Sequence, residues 1–154
     1  MKIVSGLIEA HVFRELNNNI EFLLLKRSES EIYPGLWQMV SGKINENEPA
    51  YKTAIREIKE ETGIIPEKFW AAPNINSFYS AETDSISFLP VFAARVSADC
   101  RVKLSEEHSE FQWASSYKAK KLLAWPGQKK SVEVITEYFT KDSSLLKFLE
   151  IKIS

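Results

Sequence analysis

Extended apolar runs on both sides of one central helical stretch, and a second helical pattern closing the chain, predict a mixed α/β (α+β) sandwich. Turn-forming residues separate those runs, and no Gly/Ser/Pro linker or internal repeat divides them. The 154 residues therefore read as a single domain, 1–154, with one core. Apolar residues at 44% and charged residues at 27% place the chain among globular proteins and away from disordered ones. A chain this long buries about two-thirds of its unfolded surface, so neither a disulfide nor a structural metal is needed.

Residues 2–13 alternate loosely and carry Ile3, Val4, Leu7, Ile8, Val12 and Phe13. The Asn17-Asn18-Asn19 turn leads into the apolar run Ile20 to Leu25, and two strands around such a turn form a hairpin. Leu36 to Ile44 is a strand or extended loop between Pro34-Gly35 and Asn45-Glu46-Asn47. Residues 49–62 are helical: Pro49 suits a first turn, Asn47 or Glu48 can cap the start, and Gly63 marks the stop. Extended runs follow at Ile75 to Tyr79 and Ile86 to Val96, parted by the polar turn 81–84. A short strand at Phe111 to Trp113 precedes helices at 116–123 and 128–140, the latter amphipathic through Val132, Val134, Ile135, Tyr138 and Phe139.

The net charge is −1 and no five like charges run together, so indiscriminate binding to a nucleic acid polymer or an acidic membrane has no electrostatic basis. Cys100 is the single cysteine, which rules out an internal disulfide. Neither histidine lies near it in sequence, so an inert thiol is favoured over a nucleophile. Glu9, His11 and Arg14 interrupt the N-terminal apolar runs, and the longest aliphatic stretch, Phe22 to Leu25, is too short for a bilayer. A cytoplasmic location is the expectation.

The chemistry concentrates between Gly42 and Ile64. On a helical wheel Glu57, Glu60 and Glu61 fall at about 0°, −60° and +40°, one stripe of three carboxylates. Ala50 and Ala54 flank that stripe, Tyr51, Ile55 and Ile58 turn toward the core, and Lys52 and Lys59 turn away. Like charges at this spacing destabilise a helix unless a cation neutralises them. Hard oxygen ligands on one helix suit Mg²⁺ or Mn²⁺, which keep several waters and bridge to phosphates. Taken alone, the stripe reads better as a solvated helix face than as a metal site.

The spacing decides between them. Gly42, five residues, Glu48, seven residues, then Arg56-Glu57-Ile58-Lys59-Glu60-Glu61-Thr62-Gly63-Ile64 resembles the Nudix box at all nine of its specified positions. A chance match in a chain this long is roughly below one in a million. Leu24-Leu25-Lys26-Arg27 is similar to the family's early Leu-x-x-Arg, Trp37 to Gly42 to its Trp-x-x-Val-x-Gly, and Glu107-His108 with Trp113 to its later Glu-His…Trp element.

The resemblance implies a Nudix-type α/β/α sandwich with a mixed sheet and a catalytic loop–helix–loop. It implies Glu57, Glu60 and Glu61 as metal ligands for Mg²⁺ or Mn²⁺, with the Gly42 carbonyl as a further ligand. One carboxylate, Glu57 in some members of the family, acts instead as the base on the attacking water; Arg56 is the orienter of Glu57 and Glu48 the partner of Arg56. Glu107 or Glu110 supplies an extra ligand or base, and the sequence does not choose between them. For substrate, Arg27 is a candidate phosphate or base contact or a plain strand-end cap. Gln38, Trp37, Phe78, Tyr79 and Trp125 are candidate substrate contacts, the core reading being favoured for each of the aromatics. His108 reads as a structural or substrate contact rather than a ligand.

Within the family, Trp37-Gln38-x-Val40-x-Gly42 and Glu107-His108…Trp113 resemble the dATP and dihydroneopterin triphosphate pyrophosphohydrolases. That implies a nucleoside or pterin triphosphate cut to a monophosphate and pyrophosphate. The alternatives are an oxidised nucleotide, a nucleoside diphosphate derivative such as ADP-ribose, or a non-catalytic nucleotide-sensing module. The partner expected is a nucleotide-like small molecule; a homodimer is open.

Overall fold

The computed structural model describes residues 1–153. Among them eight strands form one mixed sheet: β1 (Lys2–Val4), β2 (Leu7–Leu16), β3 (Asn19–Arg27), β4 (Trp37–Gln38), β5 (Val40–Lys43), β6 (Lys68–Ser80), β7 (Ser85–Arg95) and β8 (His108–Ser115). The helices are α1 (Ala50–Thr62), α2 (Ser116–Leu122) and α3 (Pro126–Thr140), followed by a 3₁₀ helix at Ser143–Phe148.

β2 organises the sheet. It runs parallel to β7, Glu9–Phe13 beside Val91–Arg95. It also pairs antiparallel with β5 through Leu7–Ala10 and with β3 through Phe13–Leu16. The β2–β3 hairpin forms where expected because Asn17 and Asn18 both adopt positive φ, 52° and 65°, as a two-residue type I′ turn demands. β3 continues into pairing with β4 and, over most of its length, with β8; β6 and β1 pair with β7.

Alternation along β2 divides the interior. Ile8, Ala10 and Val12 join Leu23, Leu25, Val40, Phe92 and Ala94 against Ala54 and Ile58 of α1. Phe13 joins Phe22, Leu24, Trp70, Ala93 and Ala114 against Val132 and Ile135 of α3. The expected single core is thus two cores separated by the sheet, the consequence of successive side chains pointing to opposite faces. This is the three-layer α/β/α arrangement the sequence implied.

Several boundaries differ for local reasons. Gly6 and its neighbour Ser5 break the 2–13 run into β1 and β2. β6 begins at Lys68, seven residues before the predicted Ile75, because Phe69 and Trp70 are each drawn into one core while Pro73 and Asn74 obscure the period. α3 starts at Pro126 rather than 128, with Trp125 as its N-cap residue and proline in the first turn. α1 starts at Ala50; Pro49 occupies its cap position and no side chain caps it, so neither Asn47 nor Glu48 does the work expected of them there. No helix among the described residues is long and apolar enough to cross a membrane. Cys100 is half-buried, free, and its thiol is pushed up by burial, in keeping with an inert role.

His11, 1% exposed on β2, meets the edge of Phe22 and leaves Nε2 without a partner. Burial lowers its pKa from 6.5 to about 4, so the folded chain holds it neutral. Unfolding lets it take a proton below about pH 6.5, so stability falls with pH until the folded pKa is reached. Going from about pH 7.5 to about pH 4.5 is expected to cost about 2 to 3 kcal/mol through this residue. Denaturant unfolding of wild type and His11→Gln at both pH values checks this; equal acid losses in the two would contradict it.

Candidate active site

β5, the loop 44–49 and α1 bring the acidic stripe over the sheet. Gly63 ends α1 in the left-handed region at φ 74°, its N–H bonding to the Lys59 carbonyl, which sends the chain back to the sheet after the last carboxylate. Gly42 has a steric reason: a Cβ there would lie 2.3 Å from Glu57 Cγ, so only glycine lets Glu57 lie across β5.

Arg56 is the hub of the box. Its Nε donates to Glu48 Oε2 and its Nη2 to Glu48 Oε1, both at 2.9 Å, the two-pronged geometry of a guanidinium on a carboxylate. Nη1 donates to Glu57 Oε1 at 2.8 Å and reaches Glu60 at 3.3 Å; Nη2 also meets the Lys43 carbonyl at 3.1 Å. Glu48 further accepts from Thr53 Oγ1 at 2.6 Å and from the Asn45 amide at 3.2 Å. These bonds, Arg56 foremost, hold Glu48 ionised with a pKa of about 2.

The three stripe carboxylates have different surroundings. Glu60 is 57% exposed and leans on Arg56. Glu57 is 13% exposed and clamped by Arg56. Glu61 is 1% exposed, and neither of its oxygens has a hydrogen-bond partner. Burial first, then the Glu57 carboxylate, which can accept the acid proton of Glu61, and the charges of Glu57 and Glu107 push its carboxyl up to about 10. Glu107 is raised as well, by burial and by the charge of Glu57. Its neighbour Glu110, the alternative in the sequence, is exposed and instead pairs with Lys26 at 3.0 Å.

His108 was expected to be a structural or substrate contact. It lies buried at the start of β8 with Nδ1 3.7 Å from Glu61 Oε1. Glu61, Glu107 and His108 bring ligand-type atoms within 4.8 Å of one another, a group that could hold a metal ion. Burial, then the charge of Arg27, lowers the imidazole to about 4. Its Nε2 lies 2.9 Å from Gln38 Nε2, and Gln38 Oε1 accepts from Arg27 Nη1 at 3.2 Å. Sequence reasoning singled out each of these residues but missed that they form one chain, because β3, β4 and β8 become neighbours only in the fold.

The substrate candidates scatter. Arg27 is engaged internally, with Gln38, Glu31 and the Ile32 carbonyl. Trp37 packs against the α3-side core. Tyr79 bonds to Asp84 in the β6–β7 turn at 2.9 Å. Trp125 is 50% exposed and packs edge-on to the exposed Tyr33, 6.1 Å between ring centres.

The NUDIX domain family model matches residues 8–135. An asymmetrical bis(5′-nucleosyl)-tetraphosphatase of Caenorhabditis elegans is 32% identical over 111 residues, 71% of this chain and 75% of the relative. A nucleoside triphosphatase NudI of Escherichia coli is 26% identical over 106 residues, 64% of this chain and 75% of the relative. A Listeria monocytogenes structure described as a Nudix hydrolase superposes with a TM-score of 0.75 at 25% identity, covering 89% of this chain and 95% of that one.

Proposed function

This chain belongs to the Nudix hydrolase family, enzymes acting on phosphoric anhydride bonds, and from that premise we propose that it hydrolyses a diphosphate linkage in a nucleoside 5′-polyphosphate with the help of Mg²⁺ or Mn²⁺. The observation that carries this reading is Glu61. A buried carboxyl with neither oxygen within hydrogen-bond distance of a donor, beside Glu57 and Glu107, is the environment a divalent cation would complete. Glu61 and Glu107 are the ligands that best fit the cation, with Glu60 able to turn in from solvent. Bound there, the ion would polarise a phosphoryl oxygen and acidify water.

The chain's own residues do the rest. Arg56 holds one oxygen of Glu57, which fixes the carboxylate as proton acceptor for the attacking water. The water oxygen bonds to phosphorus, the bridging P–O bond breaks, and the leaving phosphate oxygen carries away the electron pair. Glu48 keeps Arg56 from swinging toward Glu60 alone, and Thr53 and the Asn45 amide keep Glu48 in place.

Two curated relatives carry names that give a substrate, a dinucleoside tetraphosphate for one and nucleoside triphosphates for the other. The nucleoside triphosphate reading of the sequence falls within that class; a dihydroneopterin triphosphate pyrophosphohydrolase and a NUDIX domain complexed with ADP ribose share the fold at 20% identity each, a likeness that carries the fold alone. The exposed Tyr33–Trp125 pair offers a face for a planar base. A non-catalytic module is set aside, since every box carboxylate is present and Arg56 fastens Glu48 and Glu57. Product analysis with Mg²⁺ on dinucleoside tetraphosphates, nucleoside triphosphates, dihydroneopterin triphosphate and ADP-ribose tests this. We expect kcat/KM for one of the first two to exceed that for ADP-ribose by about 10-fold or more, a difference of at least one lost contact; preference for ADP-ribose would contradict the substrate class.

The steric role of Gly42 adds a prediction. Gly42→Ala must push Glu57 off β5, so turnover is expected to fall about 10- to 1000-fold, the scale of a misplaced catalytic group. Thermal unfolding recorded on the same sample separates this from misfolding. Near-normal turnover would show that Glu57 does not need its position over β5.

A further inference from the structure

We propose that Arg27 and Gln38 fix His108 as the Nδ1–H tautomer, so that His108 is a positioning residue for Glu61 and not a ligand of the divalent ion. The polarity of the chain follows from donors and acceptors alone. A guanidinium can only donate, so the Gln38 atom 3.2 Å from Arg27 Nη1 must be the carbonyl Oε1. The amide NH₂ therefore faces His108, and at 2.9 Å it donates to Nε2. Nε2 spends its lone pair on Gln38, and the single imidazole proton resides on Nδ1.

Neither ring nitrogen then offers a lone pair to a cation, although His108 sits among ligand-type atoms. Nδ1–H lies 3.7 Å from Glu61 Oε1, and both atoms are buried without another partner. A shift of less than about 1 Å closes this to a hydrogen bond, in the manner of outer groups that orient metal-binding carboxylates. Arg27 is itself pinned through the Ile32 carbonyl and Glu31, which keeps the direction of the chain from reversing. The catalytic consequence rests on the hydrolase reading above; the tautomer does not.

The test is the nitrogen-15 NMR signature of His108 in the whole protein, first without metal and then with Mg²⁺. The expected spectrum shows a protonated Nδ1 and a bare Nε2 in both states. A protonated Nε2, or a Nδ1 that loses its proton when Mg²⁺ is added, would overturn the proposal. Gln38→Glu removes the donor and supplies an acceptor, so it is expected to move the proton to Nε2. With it, kcat should fall and the Mg²⁺ concentration for half-maximal rate should rise, together by about 10- to 100-fold. An unchanged tautomer in Gln38→Glu would show that Arg27 and Gln38 do not set it. His108→Asn, which keeps an N–H donor near the place of Nδ1, should retain more activity than His108→Leu; equal losses would contradict the donor role. A correct tautomer in a protein that shows no Mg²⁺-dependent turnover would overturn the hydrolase reading and leave the tautomer assignment standing.

Discussion

Glu61→Gln is expected to lower turnover by about 100-fold or more, the effect of losing several kcal/mol of charge stabilisation, while the metal-free protein holds or gains stability. The two effects have one source. Glu61 is buried without hydrogen-bond partners, next to Glu57 and Glu107, and its pKa is pushed up to about 10. A carboxyl raised this way is fully accommodated below its unfolded value of 4.5, and its contribution is lost as pH rises toward the folded value. An amide of the same shape has no proton to hold, and its NH₂ can donate to the neighbouring carboxylates. The advantage of the variant in thermal unfolding without metal should therefore widen from about pH 5 to about pH 8. Turnover and unfolding on the same preparation check both halves; a variant that keeps most of its activity would remove Glu61 from the site.

Arg56→Lys carries the second large effect. Lysine keeps the charge and loses the planar fork, and the bonds from Nε and Nη2 to Glu48 cannot both be made. Glu57 then loses the Nη1 contact that holds it at 2.8 Å. The expected result is a fall in kcat of about 10- to 1000-fold with a much smaller change in the Mg²⁺ requirement, as for a group that is present but misdirected. Kinetic titration with Mg²⁺ reads the difference. Full recovery of Arg56→Lys at high Mg²⁺ would mean that Arg56 tunes cation affinity and does not orient Glu57.

The sequence anticipated what local chemistry dictates and little of what only the sheet assembles. The Asn17-Asn18 turn and the α1 stop at Gly63 follow from residues close along the chain, the Arg56–Glu48 pairing from the resemblance to the Nudix box, and each is found. The length of β6 was missed because its early residues alternate poorly around Pro73 and Asn74, and because its partner β7 lies beyond a turn. Glu107 and Glu110 are three residues apart and indistinguishable by pattern. Pairing of β8 with β3 sends Glu110 to Lys26 and leaves Glu107 beside the carboxylates. The Arg27–Gln38–His108 chain joins three strands, and its ends are 81 positions apart in sequence, 108 minus 27. Among the substrate candidates, aromatic type alone could not separate the half-exposed Trp125 from Trp37, which packs on the core, since both types of site favour the same residues.

The account depends most on the buried carboxylates being the seat of the cation, and Mn²⁺ binding followed by its enhancement of water-proton relaxation measures that without any substrate. Wild type should bind Mn²⁺ in competition with Mg²⁺, Glu110→Gln should match it, and Glu61→Gln should bind about 10-fold or more weakly, the loss of one charged ligand. Mn²⁺ bound as tightly by Glu61→Gln as by wild type would place the cation elsewhere and contradict the site.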